Sequence, residues 1–383
     1  MVNSQMAGLP TWLHRRARPA AVFTILATTV VLTVILWSAS TARQAVTAVS
    51  TEMAALRAAY AGPPALWPKP ETVDGIPPRA MAPLPPPPFS TDDAVRRDAR
   101  IALGERLFNE PLLSRSGQIA CADCHFQELG FTDRLRTSFG HDRARGGRNA
   151  VSLLFAGYYD AHFWDGRAAN LEDQALAALS NPVEMAATPK QADDWIATTP
   201  DYRPAFAKAF GDNSASLDNA LTALADFVRD QRPMRRFDAF LDDRRDLFSD
   251  SQLRGLHLFR TKGRCMTCHD GPLLSDGDFH NLGIHRHGYS NEDLGRYAIT
   301  GADDDRGRFR TPTLRGVAAT GPWMHTGRFQ SLPVVVAFYN AGGIQPKPGP
   351  QATAPAPTTS PLLKPLSLTR QEIADIVAFL ETL

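Results

Sequence analysis

Hydrophobic patterning divides the 383 residues into stretches of different kinds. From Ala20 to Trp37 nearly every side chain is apolar and none is charged, and His14, Arg15, Arg16 and Arg18 precede the run. A run of about 18 residues approaches the helical length that crosses a bilayer core, and cations on its N-terminal side keep that end in the cytoplasm. The pattern predicts a cytoplasmic N-terminus at 1–19 and a transmembrane segment at 20–39 tethering the chain to the inner membrane. A cleaved signal segment ending at Ser38-Ala39-Ser40 is the competing expectation. Either one exports the remainder, so the periplasm is the expected location.

The next stretch is marked by proline. Eleven prolines lie between Gly62 and Pro88, which predicts residues 40–88 to be an extended, semi-rigid linker that holds the folded part off the membrane. A second Pro-rich stretch, Gln345 to Pro365, reads as a surface insertion. The rest is mainly helical in pattern, with few alternating strand runs. Thr369 and Glu372 form a capping box ahead of Ile373, Ile376, Val377 and Leu380, one apolar stripe on a final helix.

The chain also echoes itself. Gly104-Glu105-Arg106-Leu107-Phe108 leads into Cys121-Ala122-Asp123-Cys124-His125, and Gly255-Leu256-His257-Leu258-Phe259 leads into Cys265-Met266-Thr267-Cys268-His269. Each is an apolar helix, a short turn and C-x-x-C-H, so two like modules are expected, at 89–245 and 246–383. Composition agrees with packed cores, at 43% hydrophobic and 21% charged. A net charge of +1 shows no basic excess for binding nucleic acid.

Four cysteines are too few for a disulfide scaffold of this length, so their spacing decides their role. C-x-x-C-H is the attachment signature of c-type haem. Two thiols at that spacing add across the haem vinyl groups, and the adjacent histidine falls beneath the iron. A thioredoxin-like pair needs no following histidine, and a zinc site would bring its cysteine pairs closer together. Two covalently bound haem c groups are therefore expected, on Cys121, Cys124, Cys265 and Cys268, with His125 and His269 as proximal ligands. The expected fold is mainly α, with two cytochrome c-like haem domains.

From about residue 95 to the end, the order of motifs resembles the bacterial di-haem cytochrome c peroxidases and their MauG-like relatives. The resemblance rests on LGERLF at 103–108, CADCH, GFTD at 130–133, FWDGRA at 163–168, LEDQA at 171–175 and NPVEM at 181–185. CMTCH, TPTLRGV at 311–317 and GPWMHTGRFQSL at 321–332 complete the set. It implies a peroxidatic first haem and an electron-transfer second haem. Glu184 then stands as the distal acid–base carboxylate for H2O2, a role that suits a group able to take and return a proton. Gln174 stands as the distal amide and Trp164 as the relay between haems. Ala178 departs from the proline that the family usually carries there. The resemblance further implies a Ca²⁺ site from the Asn149 side chain and carbonyls near Arg310 and Pro312, hard oxygen donors that fit this ion.

The resemblance also concerns iron ligands. His141 stands where peroxidase members carry a histidine that caps the first iron at rest. Tyr339 falls where those members carry the axial methionine of the second haem, as MauG-like enzymes have tyrosine. Met266 and Met324 are the only methionines after Met234, and neither falls at the ligand position. His162, His280, His285 and His287 read as loop histidines near haem propionates or solvent. The implied activity is reduction of H2O2 with electrons from a small c-type cytochrome or a membrane quinol. The alternative is a MauG-like oxidase that modifies a protein substrate, although Gly263 stands where the quinone-forming members have a tryptophan. A simple electron carrier would leave Glu184 and Gln174 without a purpose.

Overall fold

A computed structural model describes residues 20–73 and 75–383, with the backbone alone for residues 20–31, 45 and 46. The expected cytoplasmic stretch, 1–19, lies outside the described residues. The described residues up to Leu56 and those from Arg57 to Leu383 form separate units. Helix α1 (Ala20–Ala59) does not stop where the apolar run stops; Ser38, Ser40, Thr41, Arg43 and Gln44 continue it. Among the described residues no helix is long and apolar enough to cross a membrane. The anchor expected at 20–39 is therefore not supported.

Residues 57–383 are mainly helical. Helices α2 (Ala94–Phe108), α3 (Leu171–Ser180), α4 (Pro189–Thr198), α5 (Arg203–Phe210) and α6 (Leu217–Arg229) enclose the first core. The later part holds α7 (Arg236–Leu241), α8 (Asp250–Arg260), α9 (Tyr297–Thr300), α10 (Leu332–Asn340) and α11 (Arg370–Leu380). Strands β1 (Phe279–Asn281) and β2 (Arg308–Arg310) pair antiparallel, with Phe279 opposite Arg310. Local chemistry sets the helix starts: Asp93, Asn170, Ser216, Ser249 and Thr369 each cap one with a side-chain oxygen. The capping box at Thr369 and Glu372 forms as expected.

The sequence echo has a geometric counterpart. α2 packs against α6, and α8 against α11. At each crossing a glycine meets backbone. A Cβ on Gly104 would overlap the Ala223 carbonyl and crowd Phe227, and one on Gly255 would overlap the Asp375 carbonyl and crowd Phe379. The buried Phe227 and Phe379 pack on Phe108 and Phe259, with ring centroids 5.1 and 5.2 Å apart. Both modules are thus built on one helix crossing, followed by one motif turn.

Two expectations change. α7 was expected in the first module, yet its Phe237 and Phe240 pack against Phe248 and Phe379, so it belongs with the second core. The Pro-rich linker does not stand off from the body. Trp67 and Met81 are buried, the Glu71 N–H donates to the Arg260 carbonyl at 2.7 Å, and Arg79 binds the Asp270 carboxylate. Further on, Tyr158 donates to the Pro85 carbonyl and the Ser90 N–H to Asp226. Residues 40–59 of the expected linker are helical, in α1; the proline-rich part beyond them is extended as expected, but its partners lie on both modules, so it is a strap.

The crossings yield a test. Gly255→Ala gains about 1 kcal/mol of helix propensity but must push backbone aside, at about 1–3 kcal/mol or more. Calorimetry of the haem-loaded protein should show a net loss of stability. Gly62→Ala, whose added carbon meets only Leu66 at 3.8 Å, should leave Tm nearly unchanged.

Candidate active site with two haem cavities

Each C-x-x-C-H motif folds as one tight turn. In the first, the Cys124 and His125 N–H groups both donate to the Cys121 carbonyl; in the second, Cys268 and His269 do the same to Cys265. Both thiols and the imidazole of each motif therefore line a single cavity. All four thiols are free. Burial pushes Cys121 and Cys265 up to about 12 and Cys124 to about 11, and raises Cys268 as well.

The two histidines are fixed identically. His125 Nδ1 lies 2.9 Å from the Phe131 carbonyl and His269 Nδ1 lies 3.1 Å from the Leu274 carbonyl. A carbonyl only accepts, so Nδ1 carries the proton and Nε2 keeps its lone pair for a metal. Phe131 and Leu274 adopt positive φ, 57° and 54°, a conformation rare for such residues that turns each carbonyl toward its ring. Burial lowers both imidazole pKa values, against the carbonyl bonds, and neutral imidazole is the ligating form. These features fit haem c at both motifs.

Across the first cavity, α3 presents Gln174 and Ala178, one helical turn apart. Glu184 follows in a turn, its N–H on the Asn181 carbonyl and its Oε1 accepting from Asn181 Nδ2 at 2.9 Å. Burial raises the carboxyl pKa, opposed by the charge of Arg167 and the Asn181 bond. Glu184 and Gln174 therefore face the same space as His125. His141 lies beside it: its N–H donates to the Glu184 carbonyl at 2.8 Å, and Gly140 packs so closely on Val183 that a Cβ would overlap it. Phe139 and Gly140 line the cavity whereas His141 does not. Its Nδ1 is buried without a partner, and Nε2 is 3.5 Å from Asp142.

Trp164 lines both cavities. Its Nε1 donates to the Asn149 carbonyl at 2.9 Å, and its own carbonyl accepts from the Arg310 N–H at 2.8 Å. Asn149 Nδ2 donates to the Leu135 carbonyl. Arg310 and Pro312 line the second cavity and Asn149 the first, so the expected Ca²⁺ donors flank this tryptophan. Tyr339 lines the second cavity with His269. Burial, with the two nearby thiols adding to it, raises the phenol pKa far above its ordinary value, so a phenolate there needs a cation beside it.

Other placements differ from expectation. Met266 turns away toward Arg260, Sδ 3.7 Å from the guanidinium, but Met324 lines the second cavity, so a methionine is present there after all. His162, His285 and His287 are buried rather than facing solvent. His280 is paired with Asp276 at 2.8 Å. Sequence reasoning missed Arg148, which lines the first cavity and binds Asp165 at 2.6 Å and Asp293 through two bonds of 2.7 Å. Despite burial, which raises it, Asp293 is held below the usual carboxylate range by that guanidinium. It also missed His325, which stacks on Phe309 at 3.5 Å and meets Trp164 edge-on at 6.3 Å. Burial pushes its pKa down to about 3.

Comparison with known proteins agrees with this construction. Residues 98–246 match the family model of di-haem cytochrome c peroxidase. The cytochrome-c peroxidase IdrP1 of Pseudomonas sp. (strain SCT) is 33% identical over 340 residues, covering 81% of this chain and 86% of that protein. The methylamine utilization protein MauG of Methylorubrum extorquens is 34% identical, covering 74% and 78%. Among solved structures, a MauG-like protein associated with microbial copper homeostasis superposes with a TM-score of 0.70 at 33% identity, covering 78% of this chain and 93% of that one. The chain belongs to the di-haem cytochrome c peroxidase and MauG family.

Denatured protein should therefore retain two haems, seen as a mass increase of two haem groups. Cys124→Ala should weaken attachment at the first motif alone and Cys268→Ala at the second. A single haem, or haem extracted by acid, would contradict the assignment.

Proposed function

We propose that this protein reduces H2O2 to water at the first cavity, with two electrons delivered through the second and two protons from solvent. The observation that carries this reading is that Glu184 and Gln174 line the same cavity as His125. Haem bound at His125 would supply the iron to which peroxide binds and the redox equivalents that cleave its O–O bond. Glu184 takes a proton from the inner peroxide oxygen and returns it to the leaving oxygen. Gln174 orients the bound peroxide by hydrogen bonding. Trp164 carries electrons between cavities, and its two backbone partners keep the indole in place. His141, held beside the cavity by its N–H on the Glu184 carbonyl, would have to turn inward to cap the first site at rest. Ca²⁺ held by Asn149 and the carbonyls of Arg310 and Pro312 would stiffen the wall around Trp164. The donor would be a small c-type cytochrome or a membrane quinol.

Tyr339 supports a second reading. It lines the second cavity with His269 and would hold the iron of a haem bound there; a hard anionic phenolate would lower the haem potential relative to methionine. That favours sharing oxidising equivalents between the two sites, as a MauG-like oxidase acting on a protein substrate would need. Turnover with H2O2 and a reduced small cytochrome separates the readings: sustained oxidation supports the peroxidase, and negligible oxidation leaves the oxidase.

Glu184→Gln should lower peroxide turnover by roughly 10²-fold while haem content stays constant. Because Glu184 must be deprotonated to act and burial raises its pKa, wild-type kcat/KM should fall as pH drops through a range above the ordinary glutamate value. The variant should lack this acid limb. Tyr339→Phe should convert one low-spin ferric signal and shift one haem potential. An unchanged spectrum, or a near-infrared band of methionine–histidine ligation in the wild type, would point to Met324 instead.

A further inference from the structure

Outside the haem cavities, His285, His287 and Glu292 bring their side chains together, with one potential ligand atom from each lying within 4.8 Å of the others. Cys268, Asp276 and His280 form the other such group among the described residues, but its thiol belongs to the haem attachment. The His285 group has no role in the chemistry above.

Its hydrogen bonding is incomplete in a specific way. His287 Nε2 lies 3.0 Å from the Ala354 carbonyl, which can only accept, so Nε2 carries a proton. That leaves Nδ1 facing Glu292 Oε1 at 3.0 Å. Two lone pairs repel at that distance unless a cation joins them. A proton would satisfy this pair, yet His285 would remain unanswered: it is 1% exposed, and both of its ring nitrogens are buried without a partner. Buried polar atoms rarely stay unpaired. The ring is also deliberately seated, since a Cβ on Gly307 would lie 2.6 Å from His285 Cγ. One ion bound by all three side chains answers the His287–Glu292 pair and one of the two His285 nitrogens.

We propose that His285, His287 and Glu292 bind a divalent first-row transition metal ion, with Zn²⁺ the best match. Two neutral imidazoles and one carboxylate suit the borderline character of Zn²⁺ and a four-coordinate site whose last position is water. Hard Ca²⁺ would demand more oxygen donors. The second shell is already present: Ala354 orients His287, and the Gly288 N–H donates to Glu292 Oε2 at 2.9 Å. Glu292 keeps 19% of its side chain exposed, which gives the ion a way in. The site is structural. Ala354 belongs to the Pro-rich insertion, and Gly349 and Gln351 donate to the carbonyls of His287 and Gly288, so the ion clips the insertion to the loop at 285–292. It also lies one residue from Asp293, whose carboxylate holds Arg148 of the first cavity.

The test uses the protein with both haems attached, stripped by chelator, kept in Ca²⁺-containing buffer and titrated with ZnCl2 against a chromophoric chelator. One Zn²⁺ per chain is expected by elemental analysis, beyond the two haem irons, together with slower proteolysis within 345–365. His285→Gln and Glu292→Gln should each weaken binding by about 100-fold or more and abolish that protection, with haem spectra unchanged. Glu292→Gln, at a partly exposed side chain, keeps the test open where His285→Gln fails to fold. Absence of stoichiometric Zn²⁺, or equal affinity in folded Glu292→Gln, would overturn the proposal.

Discussion

Two hydrogen bonds made by Trp164, one from its indole to Asn149 and one from Arg310 to its carbonyl, hold the two cavities against a common wall. Asn149 comes from the first module and Arg310 from the second, so the tryptophan is where the halves of the echo meet. Its neighbours are rigid for the same reason. His325 is sandwiched between the Trp164 edge and the Phe309 face, and Arg148 is held by two carboxylates. Asp165, the buried member of that group, is held by Arg167 as well as Arg148. The wall therefore resists local rearrangement, which suits a path for electrons better than a gate for substrate.

Features set by short-range chemistry were legible in the chain. The capping box at Thr369 and Glu372, the two motif turns, and the echo of Gly104 and Gly255 all follow from spacings of a few residues. Glu184 and Gln174 could be placed only because the ordered motifs resembled a known family; nothing in their local pattern brings them to one cavity.

What could not be read depends on distant partners. Polyproline character predicted an extended segment but not that Arg79 would bind Asp270, because that partner is 191 residues away. His285 and His287 read as loop residues near haem propionates or solvent, since Ala354, which covers His287, lies 67 residues later. Arg148 carries no local mark of its 145-residue reach to Asp293. Counting methionines could not show that Met324 lines the second cavity, because it comes from a segment without a helical face.

The strap has a consequence for how the molecule is made. Residues 57–88 leave the ribosome early, yet their anchors at Arg260 and Asp270 are among the later parts of the chain. Closing so long a loop is entropically slow and gains nothing until the far contacts exist. Its contacts with the second module must therefore wait until that module's motif turn has formed. Until the strap closes, the flank carrying Thr267 and Asp270, beside Cys268 and His269, stays uncovered.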